Sequence, residues 1–312
     1  MFKRALALAL GALALSPAVS GLGGEKCVIF PHEHLLQPLS LLSKATSLAQ
    51  TILGRSSTST PRPFLIVSKY HGATPLVLDS EDDEAIHVAA HFFAADVERV
   101  TGTKPKIYNG TLPRGTERAI VVGSTGSGLV RAQHPSWTGE MEGRWEVWDL
   151  RVVSGEQVGG VKEALMVTGS NRVGLTIPAL ISSGKGTEAV GLQRGVIYGL
   201  YELSEQMGVS PWYWWADVPA VPRSTIAFDP TKICSHGEPT VKYRGLFIND
   251  ELPVLWNWAR ETFEVPLPQT PFQVGMYERV FELLLRLKAN YMWPASTFPP
   301  SPPPSLLFDT GM

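Results

Sequence analysis

Two short stretches decide the fold class: residues 241–251 read VKYRGLFINDE, and residues 277–293 read YERVFELLLRLKANYMW. The first predicts a strand, Val241 to Ile248, that ends in a polar cluster. The second places apolar residues at helical spacing from Tyr277 to Lys288 and then predicts another strand, Ala289 to Trp293. A strand, a helix and a second strand make a βαβ unit, the repeating unit of a (β/α)8 barrel.

Strands and helices also alternate earlier in the chain, over residues 21–220, which predicts an N-terminal α/β domain. Strands are predicted at 63–67, 119–123, 145–153 and 164–168, and helices at 84–100 and 196–207. The expected fold class is therefore α/β: an N-terminal α/β layered domain followed by the first βαβ unit of an incomplete (β/α)8 barrel. Residues 241–295 would be the start of that barrel, and because a full barrel needs about 250 residues, we expect it to be unfinished in this chain.

Three other segments are interpreted by composition. Residues 1–20 combine Lys3 and Arg4 with an apolar run and small residues, which predicts a signal peptide and a secreted, extracellular protein; an N-terminal core helix is the alternative. Residues 221–240 are rich in proline and predict a linker. Residues 296–312, rich in Pro and Ser, predict a disordered tail.

The charge balance excludes some partners. The 312 residues carry a formal net charge of -2 and no basic block, so a nucleic-acid partner is not expected. After the signal peptide no apolar stretch reaches membrane-spanning length, so no membrane partner is expected either. Cys27 and Cys234 could form one disulfide, which their number alone does not establish. Asn109, followed by Gly110 and Thr111, is a candidate N-glycosylation site.

Three segments resemble glycoside hydrolase family 115: residues 194–219, RGVIYGLYELSEQMGVSPWYWWADVP, residues 243–251, YRGLFINDE, and residues 280–295, VFELLLRLKANYMWPA. The resemblance extends over roughly residues 60–295. It implies an inverting hydrolase that removes α-1,2-linked glucuronic acid, or its 4-O-methyl form, from glucuronoxylan or glucuronoxylo-oligosaccharides. It implies no cofactor, and it makes a homodimer an assembly to be tested.

The chain departs from this family pattern in two places. Residues 173–193 separate Gly169-Ser170-Asn171-Arg172 from Arg194-Gly195, whereas family members run directly from one to the other. We interpret this segment as an aberrant insertion, such as a retained intron; a genuine surface loop is the alternative. The second departure is the Pro/Ser tail, which stands where the family continues with another Trp-containing segment.

The candidate site residues lie where the two predicted strands end. Inverting glycosidases use two carboxyl groups about 6.5–9.5 Å apart. Neighbouring strand residues point to opposite faces, so Asp250 and Glu251 are not themselves that pair. The resemblance makes Asp250 the catalytic candidate and Asn249, Glu251 and Trp293 the substrate-binding candidates, with the main acid and base expected from later strands absent from this chain. A helix N-cap or turn is the alternative for the polar cluster.

Other residues leave alternatives open. Trp293 could stack on a sugar ring or pack in a core, and Arg244 could pair with a carboxylate inside the barrel as a structural ion pair or clamp a uronate. The histidines show no metal-ligand spacing, so no metal site is expected. The Gly-rich turn 123–128 could bind an anion and would fit an oxidoreductase, although it lacks the dinucleotide fingerprint. A secreted glycan-binding module without catalysis is the alternative function.

Overall fold

The computed structural model describes residues 25–31, 61–132, 138–158, 161–170, 172–173, 191–249 and 254–293. The predicted signal peptide and the Pro/Ser tail lie outside the described residues. The strands are β1 (Val28–Ile29), β2 (Phe64–Ser68), β3 (Gly72–Ala73), β4 (Leu76–Leu78), β5 (Ile107–Asn109), β6 (Arg118–Ser124), β7 (Trp148–Val158), β8 (Val161–Gly169), β9 (Arg172–Val173), β10 (Gly191–Leu192), β11 (Thr225–Phe228), β12 (Ile233–His236), β13 (Gly245–Phe247) and β14 (Tyr291–Trp293). The helices are α1 (Glu84–Thr101), α2 (Gly128–Arg131), α3 (Arg194–Gln206), α4 (Val254–Thr262) and α5 (Val274–Arg286).

The largest sheet has six strands in the order β12-β7-β8-β6-β4-β5. Strands β8, β6, β4 and β5 run parallel to one another, whereas β7 pairs antiparallel with β8 and β12 antiparallel with β7. A four-stranded sheet, β1-β11-β2-β3, has only antiparallel pairs. The chain is therefore mixed α/β, as expected, with both parallel and antiparallel pairing.

Helix α1 shows how local sequence sets an element's bounds. The side chain of Asp83 accepts a hydrogen bond from the amide of Ala85 and caps the start of the helix. Gly102 ends it in the left-handed conformation, φ 73°, and its amide donates to the backbone oxygen of Glu98. The buried face of α1, which includes Ile86 and Phe93, joins the main hydrophobic core together with α3 and one face of the six-stranded sheet.

Strand β7 begins later than residues 145–153 predict. It starts at Trp148, because Glu146 has a left-handed backbone, φ 55°, which cannot continue an extended strand. The apolar alternation of this stretch indicates the strand correctly but does not reveal that its first residues form a turn.

The segment 221–240 differs from the predicted linker. It contains β11, which pairs with β1 and β2, and β12, which pairs with β7, so residues of this segment belong to both large sheets. All four residues of β11 are buried. The sequence did not predict these two strands, because each has four residues, too few to show an alternation of apolar and polar positions.

A disulfide joins the two sheets. Cys27, next to β1, is bonded to Cys234 in β12, and the two residues are 207 positions apart in the chain. Both are buried, so the bond also contributes to the main core.

Replacing both cysteines with alanine, Cys27→Ala with Cys234→Ala, is expected to lower the free energy of unfolding by about 2–4 kcal/mol. The crosslink restricts the unfolded chain over a long loop, and its loss releases that restriction. Urea melts of the two proteins with and without reductant measure the effect. The reductant should destabilise the wild type and leave the variant unchanged; a wild-type melt insensitive to reductant would contradict the expectation.

The two ends of the suspected insertion lie side by side. Strands β9 and β10 pair antiparallel, with Arg172 opposite Leu192 and Val173 opposite Gly191. Residues 174–190 lie outside the described residues. The side chain of Gln193, the last residue of the segment, accepts a hydrogen bond of 2.9 Å from the amide of Asp83. A segment whose ends meet in this way is one that a deletion could remove without pulling the flanking elements apart.

Deleting residues 173–193 is therefore expected to leave a cooperatively folded protein whose free energy of unfolding changes by no more than about 1 kcal/mol. Loop-closure entropy depends only weakly on loop length, and the deletion costs the short β9–β10 pairing and the Gln193–Asp83 hydrogen bond. Thermal melts followed by circular dichroism compare the two chains. Loss of the cooperative transition would mean that the segment is a required part of the fold.

Candidate functional site

The last two strands form a parallel pair, β13 with β14, connected through α4 and α5. Gly245 lies opposite Tyr291, and a Cβ atom at Gly245 would be 1.8 Å from the backbone oxygen of Tyr291. Only glycine permits this close approach, which explains the Arg-Gly sequence at the start of the strand. The strands are shorter than predicted, but the βαβ order of the sequence is present.

The two faces of this pair differ in exposure. Leu246 and Met292 pack against the helices in a hydrophobic cluster that includes Tyr277 and Val280 of α5. On the other face, Phe247 is 64% exposed and Trp293 is 59% exposed, and their rings meet edge to face at 5.9 Å. Exposed aromatic rings provide large apolar faces, which are suited to stacking against sugar rings.

The carboxyl edge of the pair brings two predicted site residues together. The amide of Ile248 donates to the backbone oxygen of Trp293 at 3.0 Å, so the pairing continues to the end of both strands. Asn249 follows and is exposed. Asn249 and Trp293 therefore lie at the same edge. Asp250 and Glu251 lie outside the described residues, so the geometry of the catalytic candidate is not described.

The tryptophans of the 194–219 motif have a packing role. Trp215 stacks on Trp258 of α4 at 5.3 Å between ring centroids, and its Nε1 donates to the backbone oxygen of Arg279 in α5 at 3.1 Å. Trp214 meets both Trp215 and Phe263. This motif thus connects the segment after α3 to the helices beside the parallel pair.

Arg244 makes a structural ion pair. Its Nη2 donates to Oε2 of Glu146, and its Nε donates to the backbone oxygen of Lys288 at 2.9 Å. This is the structural alternative of the two that the sequence left open, although the carboxylate comes from the loop before β7 and not from a barrel strand. Sequence reasoning missed Glu146 entirely, since a lone glutamate between Trp145 and Val147 has no local pattern that marks it.

The Gly-rich turn is already occupied by two carboxylates. Asp82 accepts hydrogen bonds from the amide of Ser124 at 3.0 Å and from its hydroxyl at 2.7 Å, and Asp79 accepts from the amide of Leu129 at 2.8 Å. Burial raises the pKa of Asp82 despite these bonds from Ser124. Burial also acts to raise the pKa of Asp79, but hydrogen bonds from the Leu129 and Glu81 amides outweigh it and lower the pKa. The anion site and the oxidoreductase are therefore disfavoured, because these donors serve side chains of the protein.

The predicted glycosylation site and two of the histidines lie on the surface or in ordinary contacts. Asn109 is exposed at the end of β5, and Gly110 after it has φ 76°, which is typical of a turn. His87 contacts the backbone oxygen of Asp79, and His91 is exposed on α1. Within the described part of the chain, no group of three or more His, Cys, Asp or Glu side chains could hold a metal ion. No helix among the described residues is long and apolar enough to cross a membrane.

Comparisons with known proteins bear on the same region. Residues 236–302, which contain β13 and β14, match the family model of glycosyl hydrolase family 115. The fold is similar to the solved structure of BtGH115A, described as a family GH115 4-O-methyl-α-glucuronidase with specificity for decorated arabinogalactans. The identity is 25% and the TM-score 0.54, over 74% of this chain and 26% of that chain. This chain thus spans about a quarter of that structure's length. No curated protein matches the chain.

Proposed function

We propose that this chain, whose residues 236–302 match the model of glycosyl hydrolase family 115, contributes the N-terminal domain and the first barrel strands of a secreted α-glucuronidase of that family. The reaction is removal of α-1,2-linked glucuronic acid or 4-O-methylglucuronic acid from glucuronoxylan, with inversion at the anomeric carbon. The observation that carries the proposal is the exposed carboxyl edge of β13 and β14. It lies inside the matched segment and combines Asn249 with the rings of Phe247 and Trp293.

The chemistry sets what each residue would do. A ring such as Trp293 would bind a sugar by its apolar face, and the amide of Asn249 would hydrogen-bond a hydroxyl. Asp250 follows directly and is the carboxyl group we assign to the reaction. Inversion needs a second carboxyl group about 6.5–9.5 Å from the first, one as general acid and one as general base for water. The described residues of the strand pair do not include that partner.

Protein produced from the complete transcript that contains this sequence tests the proposal. The expected result is release of 4-O-methylglucuronate from glucuronoxylan, with the product's anomeric configuration inverted when followed by NMR immediately after release. Decorated arabinogalactan is assayed in parallel, because the similar structure is described with that specificity. Release only from arabinogalactan would correct the substrate, and release from neither would overturn the proposal.

A glycan-binding module without catalysis is the second candidate, favoured by the aromatic face itself. Tyr243 and Tyr291 are exposed, as are Phe247 and Trp293. The ring centroids of the two tyrosines are 6.3 Å apart. Such a surface would bind oligosaccharide whether or not carboxyl groups complete a site. Calorimetric binding of glucuronoxylo-oligosaccharide without any product release would support this candidate over the hydrolase.

Secretion is supported by the disulfide and by the exposed sequon. We expect Asn109 to carry an N-linked glycan when the protein is expressed through a eukaryotic secretory pathway. Treatment with an N-glycosidase should lower the intact mass by one glycan and convert Asn109 to aspartate. Asn109→Gln should show no such shift, and an unchanged wild-type mass would contradict the assignment.

A further inference from the structure

Glu146 has a backbone held from several sides. The amide of Val147 donates to Oγ of Ser170 at 3.0 Å, and the amide of Ser170 donates to the backbone oxygen of Val147 at 2.8 Å. A Cβ atom at Gly195 would lie 2.2 Å from that same backbone oxygen, so the start of α3 packs directly on the loop. The N-terminal domain therefore fixes the backbone position of Glu146.

The carboxylate of Glu146 is 1% exposed and receives donors from both parts of the chain. From the N-terminal domain, Arg194 Nε donates to Oε1 at 2.7 Å and the Tyr198 hydroxyl at 3.3 Å. From the parallel pair, Asn290 Nδ2 donates to Oε1 at 2.9 Å and Arg244 Nη2 donates to Oε2. One buried carboxylate thus faces two guanidinium groups, one on each side.

Arg244 and Asn290 are the residues directly before β13 and β14. They are also bonded to each other: the amide of Arg244 donates to Oδ1 of Asn290 at 2.9 Å, and the amide of Asn290 donates to the backbone oxygen of Arg244 at 2.8 Å. Asn290 Nδ2 donates as well to the backbone oxygen of Lys242 at 2.7 Å. The two strands therefore begin in a single hydrogen-bonded unit that Glu146 holds.

This unit lies at the opposite end of the strands from the candidate site. The strands rise about 3.3 Å per residue, so Asn249 and Trp293 lie on the order of 10–17 Å from the residues that Glu146 holds. A short, paired strand is stiff over that distance, and a shift at its start moves its end. The buried cluster of Asp96, Arg286 and Glu282 joins the domains elsewhere, through α5 and not through the strands.

We propose that Glu146 is a positioning residue for the candidate site: a carboxylate of the N-terminal domain sets where the carboxyl ends of β13 and β14 lie. The expected effect of Glu146 on turnover rests on the proposed function, whereas its expected effect on the strand pair does not. The role gives the N-terminal domain a direct part in the site, although it presents no side chain there among the described residues.

Hydrogen exchange of the 312-residue chain tests the structural part. Glu146→Gln keeps the size of the side chain and removes the charge that the two arginines face. The expected result is exchange at least about tenfold faster for the amides of Ile248 and Tyr291, which bond across the strand pair, with β6 and β8 unchanged. Unchanged exchange at Ile248 and Tyr291 would overturn the proposal, as would equal acceleration in β6 and β8, which reports only a loss of global stability.

Two further variants keep the test decisive if Glu146→Gln fails to fold. Arg244→Gln removes the same ion pair from the strand side, together with the bonds of the Arg244 guanidinium to the backbone oxygens of Lys288 and Val241. It leaves the bonds of Glu146 to Arg194 and Tyr198, so it should produce the same selective acceleration. Glu163→Gln is the matched control, because Glu163 pairs with Arg118 across β6 and β8 and lies away from the strand pair. The control should exchange like the wild type throughout.

The catalytic part is measured separately, on protein from the complete transcript. Glu146→Gln should lower kcat on glucuronoxylan at least about tenfold, with KM changed by less than about threefold, since displaced reacting groups cost the transition state more than the ground state. A normal kcat in a variant with accelerated exchange would overturn the positioning role. An inactive wild type would instead overturn the proposed function and leave the exchange result to decide the structural part.

Discussion

Replacing Asp96 with alanine is expected to lower the free energy of unfolding by about 3–5 kcal/mol, because it leaves the buried guanidinium of Arg286 with one of its two carboxylate partners. Asp96 in α1 is fully buried and accepts hydrogen bonds from Arg286 of α5, Nη1 at 2.8 Å and Nη2 at 3.1 Å. Arg286 is 2% exposed, and its remaining carboxylate partner, Glu282, bonds its Nε at 3.0 Å. Burial opposes the charge of Arg286, but in the wild type the nearby Asp96 outweighs it and raises the pKa of Arg286. In the variant the guanidinium keeps its charge, because arginine is not deprotonated in proteins, and only Glu282 remains to compensate it.

The measurement is a denaturant melt of Asp96→Ala beside two controls. Glu98 lies on the same helix as Asp96 and pairs with Lys104 beyond the helix end, and both side chains are about half exposed. Glu98→Ala removes this pair and should cost no more than about 0.5 kcal/mol. Asp96→Asn keeps the shape and should fall between the two. A cost for Asp96→Ala no larger than that for Glu98→Ala would show that the buried pair contributes little.

Replacing Asp250 with alanine is expected to lower turnover on glucuronoxylan by about a hundredfold or more and to leave the melting temperature nearly unchanged. Asp250 directly follows Asn249 at the carboxyl edge of β13, the edge where barrel enzymes build their sites. A carboxylate that acts on the sugar interacts more strongly with the transition state than with the bound substrate. Its loss therefore lowers kcat as well as affinity.

Kinetics and a thermal melt on the same purified variant separate this role from the turn or N-cap alternative. A cap residue would lower stability by about 0.5–2 kcal/mol and leave the rate intact. Asp250→Asn, which retains the shape of the side chain and removes its charge, should lose as much turnover as Asp250→Ala if the charge is what matters. A destabilised and fully active Asp250→Ala would defeat the catalytic assignment.

Much of the fold could be predicted where one element buries one apolar face. Helix α1 was expected at 84–100 and spans Glu84–Thr101, because its apolar residues recur at helical spacing and Gly102 stops it. Strands β6 and β8 were recognisable as short apolar runs. In contrast, α4 was not foreseen, and β11 and β12 were taken for a linker, because short elements contain too few residues to establish a period.

The site was predictable in part. The order of strand, helix and strand and the polar end at Asn249 follow from local sequence, and the 243–251 and 280–295 motifs indicated the family that the comparisons support. That Trp293 and Phe247 share the face of the strand pair away from the helices could not be read from the sequence, since either face of a strand suits tryptophan.

The sequence by itself determined the longer helices and the strands with a clear apolar run, and its motifs indicated a family, because periodic apolar positions and ordered motifs are local properties of the chain. Only the tertiary structure decided which distant residues meet. Glu146 bonds Arg244 and Asn290 across 98 and 144 positions, and Cys27 pairs with Cys234 across 207. Such contacts depend on how sheets and helices pack, and a carboxylate or a thiol has no local pattern that names its partner.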